Sequence, residues 1–480
     1  MNSVFRLLPA LFLLFTGILP GADDPKADDA LGAMKKAVHY FRGNLSVQGG
    51  YASEWKLNPV VGYTEHRSGP TVFSIQPSGT TTIGLAMLRA WQATGEKEFL
   101  TGAVETGRAL ALCQLSSGGW TSSFDFDPDF ASKYHLRSDL DSGDTEPGKR
   151  KIRSTLDDNK TQSALLLMLE LAVLPETAGD KEIQRAWAFG LESLIAAQRP
   201  DGGWPQQFDG PANADLPVRK ASYPEQWSKK WPKPRYEHFV TLNDGNLYHV
   251  MHLLLRAHEL TGSEQAFASA EKLGDFFLRA QMPDPQPAWA QQYDENMHPT
   301  WARKFEPPAI SSVESFSTTE ALLVLWAATG KETYRKAIFP ALDWLESVQL
   351  DNGKWARFYE LETGRPLYCE AETYKVTYDD SNLPTHYGFQ ISDFSYKIKR
   401  MRDELAMDSE TVARKRKGPT QPESFAKKAR GLRGKVKAAL EKQHPEGYWM
   451  KDGRVDAREF VRHMSAMTQY VDAVKKSEKK

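Results

Sequence analysis

The sequence predicts an all-α fold, an α/α toroid built from helical hairpins, closed or incomplete, with short irregular β and loop segments on one face. Three observations carry that prediction. A loop of Gln, a short polar stretch, Gly and an aromatic residue recurs six times: Gln48-Gly49-Gly50-Tyr51, Gln114 to Gly118-Gly119-Trp120, Gln198 to Gly202-Gly203-Trp204, Gln281 to Trp289, Gln349 to Gly353-Lys354-Trp355, and Gln443 to Gly447-Tyr448-Trp449. In four units a Gly stands upstream, at Gly95, Gly179, Gly262 and Gly330, and the distances from it to the Trp are 25, 25, 27 and 25 residues, a register that chance does not hold. Ahead of each such Gly lies a run dense in Leu, Ala and Met.

Each unit is justified from its own residues. Runs such as Thr82 to Leu88 and Ala321 to Trp326 are too apolar for a one-sided surface helix and predict inner helices. The Gly supplies the left-handed residue that ends a helix without a Cβ clash. The helix that follows is amphipathic with a 3.6-residue period, as in Ile183 to Gln198 and Glu271 to Gln281, and runs into the Gly-Trp loop. Repeated hairpins either open into a solenoid or close into a ring. Six units with a more hydrophobic inner set favour the ring, and the loops entering the inner helices then gather on one face.

Composition agrees. A chain of 480 residues, 40% hydrophobic, buries a substantial core, and 13 Trp, 23 Phe and 17 Tyr leave aromatics for a cleft. Formal net charge is −1, which gives no long-range field for nucleic acid or an anionic membrane, so any anion recognition is local. Residues 1–22 read as a signal peptide with Arg6, an apolar stretch from Leu7 to Ile18 and small residues at Gly21-Ala22, so the protein is expected to be secreted or periplasmic. No later stretch is long enough to span a bilayer. Cys113 and Cys369 permit one disulfide or two buried thiols, and no zinc constellation exists. The organisation expected is residues 23–150 as the first hairpins, 151–400 as the part carrying chemistry, and 401–480 as a basic linker around Lys415-Arg416-Lys417 followed by closing helices. A monomer is expected.

Candidate site residues lie in the loops that differ between repeats. Thr155-Leu156-Asp157-Asp158-Asn159 and Thr241-Leu242-Asn243-Asp244-Gly245 stand at equivalent places ahead of two inner helices. N-capping accounts for one such Asp. Two acidic loops on one face suggest hard oxygen ligands for a cation such as calcium, although neither has EF-hand spacing. The next inner helix is preceded by Trp289-Ala290-Gln291-Gln292-Tyr293-Asp294, Ala302-Arg303-Lys304-Phe305-Glu306 and Ser311-Ser312-Val313-Glu314-Ser315.

From about residue 150 to 370, these segments, with the Gly203 to Gln206 loop, His238 ahead of Asn243-Asp244, and Trp355-Ala356-Arg357-Phe358-Tyr359-Glu360, resemble in order the motifs of the pectate lyases of polysaccharide lyase family 10. The resemblance implies calcium-assisted β-elimination of polygalacturonate. It implies Asp157 and Asp244 as calcium ligands, Asp158 as the alternative to Asp157, Asn243 beside them, and Arg303 as the base. Arg357, with Lys304, Trp204, Gln292 and Trp289, is expected to bind substrate. The chemistry asks for these types: a cation neutralises the uronate carboxylate and stabilises charge developing at C5. Free Arg is too basic to take a proton at neutral pH, so calcium, Lys304 and Arg357 are expected to lower the pKa of Arg303, with Glu306 as a competing ion-pair partner.

One departure stands out. Where the family carries an Asp-Arg-Asp-Gly stretch, this chain reads Tyr368-Cys369-Glu370-Ala371-Glu372-Thr373, with acid in place of the Arg. The basic run Lys149 to Arg153 could greet a polyanion, or be balanced by Asp139, Asp141, Asp144 and Glu146. Two rivals follow: a non-catalytic carbohydrate-binding toroid, and a terpene cyclase, which shares the Gln-Gly-Trp loops.

Overall fold

The computed structural model describes residues 24–478; the expected signal segment lies outside them. The helices are α1 (Ala27–Tyr40), α2 (Thr80–Thr94), α3 (Lys97–Leu112), the short α4 (Pro128–Ala131) and α5 (Arg137–Asp141), α6 (Lys160–Ala172) and α7 (Lys181–Ala196). They continue with α8 (Asn246–Thr261), α9 (Glu264–Ala280), α10 (Ser312–Thr329), α11 (Glu332–Ser347), α12 (Ser395–Leu405), α13 (Ser409–Arg416), α14 (Pro422–Lys442) and α15 (Ala457–Glu478). Among the described residues no helix is long and apolar enough to cross a membrane.

The arrangement is the α/α toroid. Inner helices α15, α2, α6, α8 and α10 pack in that order side by side, with α12 and α13 against α10. The hairpin partners α3, α7, α9, α11 and α14 lie outside them. The two ends of the chain meet: Tyr470 Oη donates to Pro25 O at 2.6 Å, Gln443 Nε2 donates to Ala33 O at 2.9 Å, and strand 54–56 pairs with 454–456.

The repeat residues turn out to be the fasteners of the ring. Gln198 Nε2 donates both to Gly202 O of its own loop (2.9 Å) and to Ser269 O of the next outer helix (3.0 Å). Gln114 binds Gly118 O and Ala186 O, Gln281 binds Pro287 O and Ala337 O, and Gln443 binds Gly447 O and Ala33 O in the same way. Each side-chain amide thus satisfies two buried carbonyls that would otherwise be costly. At Gly202, φ is +94° and a Cβ would lie 2.1 Å from Lys272 O, so only glycine lets the loop touch the neighbouring helix backbone. The loop Trp anchors back to its own helix: Trp120, Trp204, Trp355 and Trp449 Nε1 donate to the carbonyls of Leu110, Leu194, Leu345 and Ala439, each at 2.7–2.9 Å.

Several expectations change. Gly95, Gly262 and Gly330 close α2, α8 and α10 in the left-handed conformation, but α6 ends at Ala172 and Gly179 follows a separate short turn, so Gly179 is no cap. The first loop has three residues fewer between Gln and the aromatic, and Gln48, at φ +51°, sits directly before Gly49 without the fastening role. Of the expected basic linker, Lys415 and Arg416 lie in α13 and residues 417–421 connect it to α14. Arg416 ends α13 and pairs with Glu320 at 2.9 Å and Glu404 at 2.6 Å. Cys113 and Cys369 are free, buried thiols. In the basic run, Arg150 is neutralised by Asp144 at 2.7 Å and Asp139 at 3.5 Å.

Candidate active site

Short antiparallel pairs set the site. Ahead of four successive inner helices, the chain pairs with the next repeat's loop through Ser74 to Ser123, Thr155 to Gln207, Thr241 to Gln292, and Ser311 to Phe358. Two or three residues past these positions stand Gln76, then Asp157 with Asp158, then Asn243 with Asp244, then Glu314. In the two middle loops the hydroxyls of Thr155 and Thr241 accept from the Asp157 and Asn243 amides, and the following residues turn left-handed: Asp158 (φ +49°) and Asn159 (φ +60°) match Asp244 (φ +51°) and Gly245 (φ +70°). Asp and Asn tolerate that conformation better than most side chains. Asp158, not Asp157, is therefore the structural counterpart of Asp244.

Asp157, Asp158 and Asp244 converge, each offering a carboxylate oxygen within 4.8 Å of the others. Gln76 Nε2 donates to Asp158 Oδ2 at 3.1 Å, Gln206 Nε2 to Asp157 Oδ1 at 2.9 Å, and Asn243 Nδ2 to Asp244 Oδ2 at 2.7 Å. The amide oxygens of Gln76 and Asn243 are buried without a partner. Burial and Asp157 raise the pKa of Asp158. Neighbouring protein atoms that displace part of its water, with Glu314 and Asp158 as like charges, push Asp244 up to about 7 even though its side chain stays open to solvent. A donor set of crowded carboxylates with orphaned amide oxygens fits a hard oxygen-seeking cation, which would relieve that crowding.

The cationic side of the cleft is organised by Tyr387. Its hydroxyl donates to Glu306 Oε1 at 3.0 Å and accepts from Arg357 Nη1 at 3.2 Å. Arg357 also donates to Gly388 O at 3.0 Å and lies 3.9 Å from the wholly buried Glu314. Arg303 is clamped by Glu306, Nε to Oε2 at 2.9 Å and Nη2 to Oε1 at 2.5 Å, while Glu306 also receives the Arg303 backbone amide. Burial alone would lower the pKa of Arg303, but the bonds and charge of Glu306, with Tyr387 and Asp244 adding, raise it well above the usual arginine value. Glu306, the competing ion-pair partner the sequence offers, thus sets the direction of the shift. Lys304 faces elsewhere, its ammonium 3.7 Å above the Tyr374 ring on the hairpin that carries Glu370 and Glu372.

Other expected substrate contacts are corrected by burial. Trp204 and Trp289 are 0% exposed and bonded to Leu194 O and Phe277 O, so they hold the ring together and reach no substrate. Gln292 is buried in the ladder with Nε2 on Thr300 O. The sequence reading gives no role to Gln76, Glu314 or Tyr387; Glu314 stands within the Ser311-Ser312-Val313-Glu314-Ser315 motif, and the place of Gln76 two residues past the paired Ser74 is the signal that points to it.

A profile of the family described as pectic acid lyase matches residues 114–354, half of the chain. The chain belongs to the pectic acid lyase family. Membership begins upstream of the expected start near residue 150 and stops just short of Arg357, so the hairpin bearing Glu370 and Glu372 lies beyond the matched stretch. The terpene-cyclase rival loses its support. A comparison with curated proteins returns no match. Similar solved structures include a mutant family 10 polysaccharide lyase from Cellvibrio cellulosa in complex with trigalaturonic acid, at 16% identity and TM-score 0.47 over 68% of this chain and 98% of that one. Others are a family 76 glycoside hydrolase (mannosidase) from Bacteroides thetaiotaomicron, at 12% and 0.45 over 94% and 98%, and a cellobiose 2-epimerase from Spirochaeta thermophila, at 13% and 0.46 over 94% and 97%. At that level these neighbours say nothing about the chemistry of this pectic acid lyase family member.

The raised carboxyls give a test of the site without substrate. In chelator, folded Asp244 keeps its proton to about pH 7, whereas an unfolded Asp loses it near the usual value of about 3.9. The folded chain therefore binds the extra proton between those values, and unfolding free energy is expected to fall as pH rises from about 4 to about 7. A divalent cation held by the three carboxylates would offset the loss, most fully above pH 7. Thermal melts across pH, chelated and calcium-loaded, check this; parallel curves would contradict it.

Proposed function

We propose that this protein is an exported, monomeric lyase that cuts polygalacturonate or a closely related acidic uronide by calcium-assisted β-elimination, leaving 4,5-unsaturated ends. The supporting observation is the convergence of Asp157, Asp158 and Asp244 in one cleft with Arg303 and Arg357, in a chain of the pectic acid lyase family.

The three carboxylates, with the free oxygens of Gln76 and Asn243 nearby, would hold calcium. Bound there, calcium supplies positive charge against the uronate carboxylate, which makes the C5 proton more acidic. Arg357, fixed by Tyr387 and Gly388, presents its guanidinium to a substrate carboxylate. Arg303 accepts the C5 proton as the C4–O bond breaks and the departing sugar oxygen takes a proton from solvent; to serve as base it must be drawn from Glu306 and also shed its own proton, which calcium and Arg357 beside it would favour. Glu306 remains anchored by Tyr387, which lets the pair separate without leaving the carboxylate unpartnered.

The test is ultraviolet absorbance of the unsaturated uronate, with mature protein on polygalacturonate at alkaline pH. Product should rise with calcium and stop on chelation. Full turnover after exhaustive chelation would remove calcium from the mechanism, and no turnover on any uronide of a broad panel would remove the lyase.

A further inference from the structure

The acidic site contains a cation of its own. Lys160, the first residue of α6, has a side chain only 3% exposed, and its ammonium lies 2.8 Å from Asp157 Oδ2 and 3.5 Å from Asp158 Oδ2. The position is unfavourable for a lysine on two counts. A helix N-terminus carries partial positive charge that disfavours a cation, and burying an ammonium is costly unless it is paired. Among the described residues those carboxylates are the hydrogen-bonding and ion-pair partners of its ammonium.

Comparison of the two site loops shows what Lys160 balances. The backbones match residue for residue, so Asp157 corresponds to Asn243, Asp158 to Asp244, Asn159 to Gly245 and Lys160 to Asn246. The first loop carries an added carboxylate and an added ammonium where the second carries two neutral amides, and each loop keeps one net negative charge. The extra Asp and the Lys therefore act as a unit. A divalent cation entering the site meets three carboxylates and one ammonium, and the formal charges then sum to zero; without Lys160 they would sum to minus one and repel a uronate.

Building on the calcium reading above, we infer that Lys160 is a resident counter-ion of the site, which weakens its hold on free calcium and leaves the loaded site neutral toward an incoming uronate carboxylate. Lys160 is a positioning and tuning residue: its ammonium acts through Asp157 and Asp158.

Calorimetric titration of calcium into the mature protein, without polysaccharide, tests the inference on wild type, Lys160→Met and Lys160→Arg. Lys160→Met should bind calcium roughly tenfold or more tightly, as loss of a unit charge at contact range in a half-screened site predicts. Lys160→Arg should stay near wild type. At saturating calcium, Lys160→Met should bind trigalacturonate more weakly than wild type does. Lys160→Asn copies Asn246 of the companion loop, whose backbone is the same, and replaces Lys160→Met if melts show that variant unfolded. Equal or weaker calcium binding in the neutral variants, beside a wild type that binds, overturns the role of Lys160 alone. If neither wild type nor variants bind calcium, the calcium reading fails with it.

Discussion

Arg303→Ala is expected to reduce formation of unsaturated product by roughly two to four orders of magnitude, the usual range for loss of a group that moves a proton in the transition state. Calcium-dependent binding of oligogalacturonate should persist at weaker affinity, because Arg357 and the acidic cluster remain. Turnover at the wild-type rate would sink the assignment. The variant also strands Glu306, which is 1% exposed at its side chain, so a melt must accompany the kinetics. Glu306→Gln separates two meanings of a positive result. In the resting protein Glu306, through its bonds and its charge, is the largest of the effects that together outweigh burial and raise the pKa of Arg303. Removing that anion lowers the pH at which Arg303 can release its proton, so the kcat profile of Glu306→Gln should move to lower pH if Arg303 is the base. A profile that keeps its position while KM changes would make Arg303 a charge that grips the substrate.

The repeat was legible because its signals are local. Gln, Gly and Trp at fixed spacing, apolar runs and amphipathic runs all sit within one hairpin, and the toroid follows from stacking them. What those residues touch was not legible. Gln198 reaches Ser269 and Gln443 reaches Ala33, contacts set by the closing of the ring. A Trp in a loop motif reads the same whether it points into the core or into a cleft, which is why Trp204 and Trp289 were expected at the substrate. The acidic loops were visible as a pair, since Asp157-Asp158 and Asn243-Asp244 follow the same Thr-Leu. Their companions were not: Gln76 and Glu314 join them only through strand pairs between successive repeats, and Tyr387 meets Glu306 across 81 residues. The Arg303–Glu306 pair is visible in the sequence as a competing partner three residues on, but its two-pronged geometry and the turn of Lys304 toward Tyr374 are properties of the folded loop.

The burial of Trp204 makes a second strong prediction, on stability instead of turnover. Its ring is fully enclosed and its Nε1 donates to Leu194 O at 2.8 Å, at the point where Gln198 and Gly202 fasten the α7 loop to α9. Trp204→Ala removes the largest side chain of that junction and opens a cavity beside two closely docked backbones, so it should cost about 3–5 kcal/mol of unfolding free energy. Trp204→Phe keeps most of the volume, loses the indole N–H, and should cost less than half as much. Denaturant unfolding gives both values. In conditions where each variant is folded, KM for polygalacturonate should match wild type, because no atom of Trp204 reaches the cleft. A raised KM with unchanged stability would return Trp204 to the substrate surface and undo the account of the Gly-Trp loops as fasteners. Loss of stability with KM intact would place the recurring aromatic in the ring's architecture and leave the uronide to the acidic loops and the two arginines.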